Sequence, residues 1–403
     1  MSKHHIGTRQ VSVSEHAVAN FERLFGFPVE PILISAPGRV NLIGEHIDYH
    51  ELPVLPIAIQ KRIVIAFRPR ADKGVRATSQ QEIDAAEFTL DSPFTSASQG
   101  HWSNYVRASA QAIQTRYALT RGINAFIASD LPSAAGLSSS SALLVAFSLA
   151  LLRANEIEPT LNELTALLPD GEQLVGTRGG AMDHVAILGS RAGFGTLINS
   201  FAPLEIDHVP VPPSWRFLVA HSLVDAQKSG ALRSEYNARR AAGTNAIERL
   251  GFVSYREAIV NCDGHCIEAL TDENERNAFL HVTSEAGRVQ QAARALQNHD
   301  LAVFGRLLGE SHASLRDRLR VSLPEIDRLV DSAVHAGAYG ARLTGAGFGG
   351  CVVCLCTDNN VKQVRNKLVK TFYAERPEFD VNRHLFIAEP SAGALGGKTT
   401  VEE

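Results

Sequence analysis

The sequence predicts an α+β fold divided into two domains. Its 403 residues are too many for one ordinary hydrophobic core. The 45% of apolar and 20% of charged residues are typical of a folded globular protein. Strand and helix patterns alternate in the first half, whereas long helices dominate the second half before a final α/β stretch.

Apolar periodicity and capping residues predict the elements of the first half. We expect a first helix over residues 14–25, opened by Ser14 and closed by Gly26. Two more helices are predicted at 102–116 and 139–155, and the second of these is apolar nearly all round, which indicates burial. Strands are predicted at 32–35, 63–67, 123–128, 195–198 and 216–221.

The second half is predicted to be mainly helical. Helices are expected at 234–250, 275–297, 324–335 and 360–372, and strands at 351–356 and 385–388. Regular structure is interrupted by Phe201-Ala-Pro203 and Val209-Pro-Val-Pro-Pro213. We therefore expect an N-terminal domain of residues 1–205 and a C-terminal domain of residues 206–403.

Composition argues against several classes of partner. The formal net charge of −4 supplies no basic surface for a nucleic acid or an anionic membrane. The longest apolar stretch, 142–152, is about half the length that a membrane-spanning helix needs. The first ten residues lack the hydrophobic core of a signal peptide, so we expect a cytoplasmic protein without nucleic-acid or membrane partners.

The five cysteines do not predict a disulfide framework, because their number is odd and their spacing irregular. Cys351, Cys354 and Cys356 lie in an apolar run, and we expect small core side chains of a buried strand there rather than zinc ligands. Cys262-Asp-Gly-His-Cys266 looks more like a ligand set. No further ligands surround it, so no metal site is expected there.

One segment has the properties of a phosphate-binding loop: Asp130-Leu-Pro-Ser-Ala-Ala-Gly-Leu-Ser-Ser-Ser-Ser-Ala142. A strand precedes it, Gly136 permits an unusual turn, and four serines open a helix. Unpaired N–H groups at a helix start, together with hydroxyls, suit a polyphosphate. No Gly-Lys-Ser/Thr follows, so it is not a Walker A loop. The alternative is a helix capped by one serine.

Two further segments carry polar or glycine-rich patterns. Arg39, Glu45, His46 and Asp48 follow a predicted strand within ten residues, and the two carboxylates can accept several hydroxyls at once, as a sugar presents. The alternative is a solvated loop. Residues 342–351 (Arg-Leu-Thr-Gly-Ala-Gly-Phe-Gly-Gly-Cys) form a glycine-rich turn before a buried strand, which by itself indicates only tight packing.

Together these segments resemble the galactokinase branch of the GHMP small-molecule kinases. The sugar motif is Gly38-Arg-Val-Asn-Leu-Ile-Gly-Glu-His-Ile-Asp-Tyr49, the phosphate loop Gly136-Leu-Ser-Ser-Ser140, and the third motif Thr344-Gly-Ala-Gly-Phe-Gly-Gly-Cys351. Matches in the family's order extend from residue 36 to 351. The resemblance implies an α+β two-domain GHMP kinase fold, with an N-terminal ribosomal-protein-S5-domain-2-like domain and a C-terminal ferredoxin-like α/β domain with extra helices.

The resemblance also implies the reaction. An ATP-dependent sugar 1-kinase of this type phosphorylates the anomeric hydroxyl of galactose, with Mg²⁺ as a second cofactor. Asp183 matches the family's catalytic base and Arg39 the cation beside it. A carboxylate can take the proton of the hydroxyl group. A neighbouring guanidinium keeps that carboxylate ionised and offsets the negative charge of the transition state. A buried salt bridge is the structural alternative. We expect a monomer or weak dimer.

The resemblance assigns the remaining site residues by position. Sugar contacts match Glu45, His46, Asp48, Gly180 and Tyr236. Phosphate contacts match Gly136, Leu137, Ser138, Ser139, Ser140 and Ser141, and adenine contacts match Trp102 and Tyr105, which are alternatively core residues. The magnesium ligands would be Ser140 and Glu172, although Leu168-Pro-Asp-Gly171 is expected to break the helix that presents Glu172.

The chain departs from the family around the sugar motif. His50-Glu51-Leu52 stands where galactokinases carry Asn-Gly-Gly, and further replacements are Ile47, Ala134, Ala181 and His184. These changes leave open a kinase for N-acetylgalactosamine, galacturonic acid or arabinose, with His50 offering positive charge toward a carboxylate. A non-catalytic sugar sensor is the alternative from another class, disfavoured because the phosphate loop keeps its hydroxyls.

Overall fold

The computed structural model describes residues 12–26, 30–93, 95–98, 100–176, 179–226 and 231–396. The strands of the first part form one five-stranded sheet of order β1-β2-β5-β3-β4. They are β1 (Ile32–Ile43), β2 (Leu55–Pro69), β3 (Gly74–Ser79), β4 (Ala86–Thr89) and β5 (Ile123–Ser129). β3 runs parallel to β5, and the other neighbours are antiparallel.

Helices cover both faces of this sheet. They are α1 (Val13–Phe25), α2 (Ser103–Gln114), α3 (Ser139–Ala154), α4 (Leu161–Val175) and α5 (Met182–Gly189). Val64 and Ala66 of β2 pack with Phe21 of α1, whereas Ile65 and Phe67 point to the opposite face and the main core. The strand predicted at 63–67 is therefore buried on both faces, because successive side chains alternate between two helical layers.

The second part contains a hairpin and a four-stranded antiparallel sheet. The hairpin pairs β6 (Phe194–Phe201) with β7 (Leu204–Pro210). The sheet has the order β11-β8-β10-β9, from β8 (Trp215–His221), β9 (Gly340–Thr344), β10 (Cys351–Thr357) and β11 (Leu385–Ala388).

Eight helices accompany these strands in the described part. They are α6 (Ala231–Leu250), α7 (Tyr255–Asn261), α8 (Gly264–Glu268), α9 (Glu273–Gln297), α10 (Leu301–Asp317), α11 (Pro324–Ala336), α12 (Val361–Lys370) and α13 (Val381–His384). One core continues across both sheets, since Phe217 and Phe304 belong to the same buried cluster as Val40. α9 and α10 lie against β1, so both halves of the chain meet where β1 ends.

Three details differ from the sequence prediction. Ser12, not Ser14, caps α1. α4 runs without a break through Pro169, so the predicted helix break is wrong. Gly171 lies directly against α2 and α3, where an added Cβ would lie 3.3 Å from Ala112 Cβ and 3.0 Å from Leu144 Cδ1. This close packing holds the helix together despite the hydrogen bond that proline cannot make.

The third difference concerns the segment Phe201-Ala-Pro203, which the sequence predicts to interrupt regular structure near a domain boundary. It lies at the turn of the β6–β7 hairpin, so the two strands on either side of it are paired with each other. The domain boundary at residue 205 stays a prediction.

The cysteines divide into two groups. Cys351, Cys354 and Cys356 are buried in β10 without disulfide partners, as predicted. Cys262 and Cys266 form a disulfide that their spacing did not predict. Asp263 caps α8 and the turn brings the two Cα atoms to 5.4 Å. Within the described residues, we find no His/Cys/Asp/Glu group arranged to hold a metal ion and no helix that is long and apolar enough to span a membrane.

Candidate active site

A buried acid and a guanidinium meet at the centre of the site. Arg39 lies in β1 and Asp183 in the first turn of α5. Arg39 Nε donates to Asp183 Oδ1 at 2.7 Å, and Nη2 lies 2.6 Å from the same oxygen. Arg39 Nη1 donates to the carbonyl oxygen of Gly136 at 2.7 Å. Because only 3% of Arg39 and 8% of Asp183 is exposed, this pair works in a low-dielectric environment.

The serine turn contacts the other oxygen of the same carboxylate. Ser138 has a left-handed backbone (φ 57) immediately before α3, and its hydroxyl donates to Asp183 Oδ2. Ser141 lies 3.3 Å from this oxygen and also donates to Glu172 Oε1. The structure thus brings the acid, the guanidinium and the serine turn together, as the family resemblance implied.

A cavity of about 280 Å³ lies beside the serine turn. Its lining includes most of the predicted nucleotide residues: Trp102, Tyr105, Gly136, Ser138, Ser139 and Ser140. The indole N–H of Trp102 is buried and has no hydrogen-bond partner among the described residues. Leu137 and Ser141 do not line the cavity; both are buried behind it, and the Leu137 carbonyl accepts from the Arg39 amide.

A second, smaller cavity of about 30 Å³ adjoins the first, since Arg39 lines both. The acids Asp183 and Glu172 line it. So do all five residues that were predicted to contact the sugar: Glu45, His46, Asp48, Gly180 and Tyr236. Residues between Arg39 and Ala346 in the chain therefore converge on this smaller, polar cavity next to the serine turn.

The carboxylate of Asp48 packs closely against the backbone of Gly180. Burial, with the neighbouring charges of Asp183 and Glu45, raises the pKa of Asp48 to about 7. An added Cβ at Gly180 would lie 2.2 Å from Asp48 Oδ2 and 2.8 Å from the Tyr49 amide nitrogen. Only glycine fits at this approach, which gives the predicted Gly180 a steric role.

His46 is a neutral residue of fixed orientation. Its Nε2 lies 3.0 Å from the carbonyl oxygen of Ala346, which can only accept, so Nε2 carries the hydrogen. Burial lowers the pKa of His46 to about 3. Nδ1 is therefore unprotonated at neutral pH and accepts from the Tyr49 hydroxyl at 2.9 Å.

Glu45 is bound by the third motif, a contact that sequence reasoning missed. The Gly345 amide donates to Glu45 Oε1 at 2.6 Å, and Arg342 Nη2 lies 3.5 Å from that oxygen. One Glu45 oxygen therefore already has protein partners instead of being free for sugar hydroxyls. The glycine-rich pattern at 342–351 marked this segment, but nothing in it identified Glu45 as its partner.

His50 does not face the smaller cavity, so the expectation that it offers positive charge there is wrong. Its ring packs 4.6 Å from the ring of Tyr255 and against Gly243 of α6. Burial lowers its pKa to about 3, which keeps it neutral. His184 is buried in α5 and lines neither described cavity.

Family sequence models match three segments of the chain. Residues 19–69 match the galactokinase galactose-binding signature, 104–190 the GHMP kinases N terminal domain, and 292–374 the GHMP kinases C terminal domain. A galactokinase of Roseiflexus sp. (strain RS-1) is 40% identical over 351 residues, which cover 85% of this chain and 88% of that protein. The chain belongs to the galactokinase family.

A second galactokinase sequence and a galactokinase crystal structure agree with this assignment. A galactokinase of Chloroflexus aggregans is 39% identical, covering 86% of this chain and 88% of that protein. The crystal structure of Lactococcus lactis galactokinase complexed with galactose superimposes with a TM-score of 0.83 at 29% identity, over 93% of this chain and 97% of that one. Methanococcus jannaschii mevalonate kinase shares the fold (TM-score 0.63, 17% identity, 90% and 99% covered). The predicted α+β GHMP kinase fold and family are confirmed.

Proposed function

We propose that this protein transfers the γ-phosphoryl group of ATP to the anomeric hydroxyl of galactose, giving galactose 1-phosphate and ADP. The observation that carries the proposal is the Arg39–Asp183 pair, which stands between the cavity with the serine turn and the smaller polar cavity. Galactokinases that are 38–40% identical and the galactose complex of the Lactococcus lactis enzyme support galactose as the acceptor.

Asp183 would act as the general base. As the sugar oxygen bonds to the γ-phosphorus and the bond from phosphorus to the ADP oxygen breaks, Asp183 accepts the hydroxyl proton. Arg39 favours the ionised form of Asp183 and offsets the negative charge that develops on the phosphoryl oxygens. The Ser138 hydroxyl fixes the second carboxylate oxygen, so the base has a defined orientation.

The nucleotide would occupy the larger cavity. The N-terminus of α3 and the hydroxyls of Ser139 and Ser140 supply donors for the phosphates. Trp102 and Tyr105 supply aromatic surface for the adenine, and the unpartnered indole N–H of Trp102 is a donor for a polar atom there.

The residues present fit a magnesium ion. Glu172 is a buried carboxylate beside the serine turn, and carboxylate and hydroxyl oxygens are hard ligands of the kind that Mg²⁺ prefers. Glu172 with Ser140 or Ser141 would hold the ion. When bound, the ion would neutralise part of the negative charge of the phosphates.

Sugar recognition would use the smaller cavity, where Asp48 accepts sugar hydroxyls and Gly180 and Tyr236 shape the wall. Because His50 faces away, the reason for expecting a uronic acid is removed. N-acetylgalactosamine and arabinose stay alternative substrates, and an assay that compares them with galactose distinguishes the three sugars. A cytoplasmic location and a monomeric or weakly dimeric state stay predictions.

An ADP-release assay over galactose, N-acetylgalactosamine, galacturonic acid and arabinose tests the proposal. We expect the highest kcat/KM with galactose, and phosphate attached at the anomeric carbon in the NMR spectrum of the product. Binding of ATP and sugar without ADP formation would support the sensor alternative, and preference for another sugar would revise the substrate.

A further inference from the structure

The segment that carries Glu45, His46 and Asp48, residues 44–50, is termed the sugar loop. Two of its backbone groups are held by α9, far away in sequence. The Gly44 amide donates to Glu285 Oε1 at 3.0 Å, and the Glu45 carbonyl lies 3.0 Å from His281 Nε2. His281 and Glu285 are four residues apart, so they lie on the same face of the helix. Both side chains are fully buried.

Glu285 is an ionised acceptor with donors on both oxygens. Oε1 accepts from the Gly44 amide and from the Ser311 hydroxyl at 2.6 Å, and Oε2 pairs with Arg288 Nε at 2.7 Å. Burial acts to raise the pKa of Glu285, but the charge of Arg288, together with smaller contributions that include Arg342 and the Ser311 hydrogen bond, lowers it overall. A side chain with this set of partners cannot rotate without leaving a buried donor unpaired.

His281 is a donor of fixed tautomer. Because the Glu45 carbonyl can only accept, Nε2 carries the hydrogen. Burial lowers the pKa of His281 to about 4, so the ring is neutral at pH 7. Nδ1 then accepts from the Ser314 hydroxyl at 2.9 Å. Ser311 and Ser314 both belong to α10, so two helices fix the two side chains.

We propose that Glu285 and His281 are positioning residues for the sugar substrate. They fix the backbone of Gly44 and Glu45, and through it they place His46 and Asp48 at the smaller cavity. Neither residue lines that cavity, so each acts through the sugar loop and not by contact with the substrate. The inference rests on the proposed function, in which the sugar occupies this cavity.

The first test compares Glu285→Gln with Glu275→Gln. An amide at position 285 keeps its oxygen on the charged Arg288 and turns its NH₂ group toward Gly44 and Ser311. The Ser311 hydroxyl can accept from this group, but the Gly44 amide can only donate and is left unpaired. Glu275 is the matched control, because it is also a buried acid of α9 and is paired with an arginine, Arg249 Nε at 2.6 Å. Among the described residues its carboxylate binds Arg249 and not the sugar loop. We expect Glu285→Gln to raise the galactose KM by about tenfold to a hundredfold, with the KM for ATP within about twofold.

The second test uses rescue at position 281. Leucine removes the donor and leaves the Glu45 carbonyl unpaired, whereas glutamine retains an N–H donor at similar reach. We expect His281→Leu to raise the galactose KM by about tenfold or more, and His281→Gln to return it to within about threefold of the unmodified enzyme. If His281→Leu does not fold, Ser314→Ala is used instead. It removes the hydrogen bond that orients the His281 ring, so the galactose KM should also rise, but by less.

Equal galactose KM values for Glu285→Gln and Glu275→Gln would overturn the inference. So would a parallel rise in the KM values for galactose and ATP, which indicates general loss of structure. Failure of the proposed function has a different signature, because the unmodified enzyme would then phosphorylate no galactose at all.

Discussion

The two sides of the active site are built in different ways. On the phosphate side, Arg39, Ser138 and Asp183 all come from the first half of the chain and contact one another directly. On the sugar side, the loop at 44–50 takes its partners from the second half, through Glu285 and Gly345. The reacting acid is therefore fixed by one half of the fold, whereas sugar recognition requires both halves to be packed together.

The two sides also differ in charge balance. The phosphate side combines a guanidinium with the N-terminus of a helix, and both favour anions. The sugar side gathers acids around the same guanidinium, and the proximity of Asp183 and Glu45 contributes to the raised pKa of Asp48. This difference predicts that changes on the phosphate side act on kcat, and changes on the sugar side act on KM and on pH dependence.

A large loss of kcat is expected for Arg39→Lys. An ammonium group cannot contact Asp183 Oδ1 and the Gly136 carbonyl with the geometry of a guanidinium. We expect kcat to fall by about a hundredfold to a thousandfold in steady-state assays with galactose and ATP varied in turn. Arg70→Lys is the control, since Arg70 is a half-buried surface residue paired with Asp72, and its kcat should match that of the unmodified enzyme. A rise in galactose KM alone would break the division between the two sides.

Gly180→Ala tests the sugar side. The new Cβ would lie 2.2 Å from Asp48 Oδ2, so the carboxylate must move. We expect the galactose KM to rise by about tenfold or more while the KM for ATP stays within about twofold.

Gly179→Ala is the matched neighbour. Its Cβ would meet only ordinary contacts, at 3.7 Å from Glu172 Oε2 and 3.9 Å from the Tyr236 hydroxyl. Gly179 also lines the smaller cavity, so the galactose KM of this variant should rise, but by much less than that of Gly180→Ala. Equal kinetic effects at positions 179 and 180 would contradict the steric account of Asp48.

Asp48 should make stability depend on pH. Its pKa in the folded protein is about 7 against an ordinary value of 3.8, so the folded state holds this proton more tightly than the unfolded state. The free energy of unfolding should thus fall as pH rises from about 4 to about 7. Asp48→Asn removes this contribution, and its melting temperature should exceed that of the unmodified protein at pH 8 but approach it at pH 5.

The control for this pH dependence is Asp72→Asn. Asp72 is exposed and its pKa is lowered to about 2, mainly by a hydrogen bond from Arg70. Its stabilising effect is complete above the ordinary pKa of 3.8 and is lost only below it. Between pH 5 and pH 8 this variant should show the same slope as the unmodified protein. An unchanged slope in Asp48→Asn would refute the raised pKa.

The smallest expected effect is on the free energy of unfolding and concerns the contact between His50, in the sugar loop, and Gly243 of α6. A Cβ at Gly243 would lie 2.4 Å from His50 Nε2, and the His50 ring is held against Tyr255. Gly243→Ala should destabilise the protein by about 1–3 kcal/mol in urea unfolding. In a His50→Ala background the same change should stabilise it by about 0.5–1 kcal/mol, because alanine favours a helix over glycine. The same sign in both backgrounds would show that His50 does not press on α6.

Much of the phosphate side could be predicted from the sequence. Its signals are local: a strand, a glycine at a tight turn, and serines that open a helix. The family resemblance then connected Asp183 with Arg39, and the structure joins them across 144 residues. Strands such as β2 and β10 and long helices such as α3 and α9 were also predicted, since their apolar periodicity is strong. The helix α10 and the strands β3, β4, β7 and β9 were not predicted.

The parts that the sequence could not predict depend on packing between distant elements. α9 carries several acids, and nothing in their spacing tells that Glu285 faces the sugar loop while Glu275 pairs with Arg249. α4 continues through Pro169 because of its contacts with α2 and α3, which local propensity does not contain. The direction of His50 likewise depends on Gly243, almost two hundred residues away.

The most direct test of the account is the rate of phosphoryl transfer in Asp183→Asn. Rapid-quench single-turnover kinetics would be combined with calorimetric binding of ATP and galactose, and Asp91→Ala, which removes an exposed carboxylate paired with Lys73, would serve as control. We predict that Asp183→Asn binds both ligands within about threefold of the unmodified enzyme, while transfer slows by about a hundredfold to ten-thousandfold. Transfer at the rate of the unmodified enzyme, with both ligands bound, would contradict the assignment of Asp183 as the base.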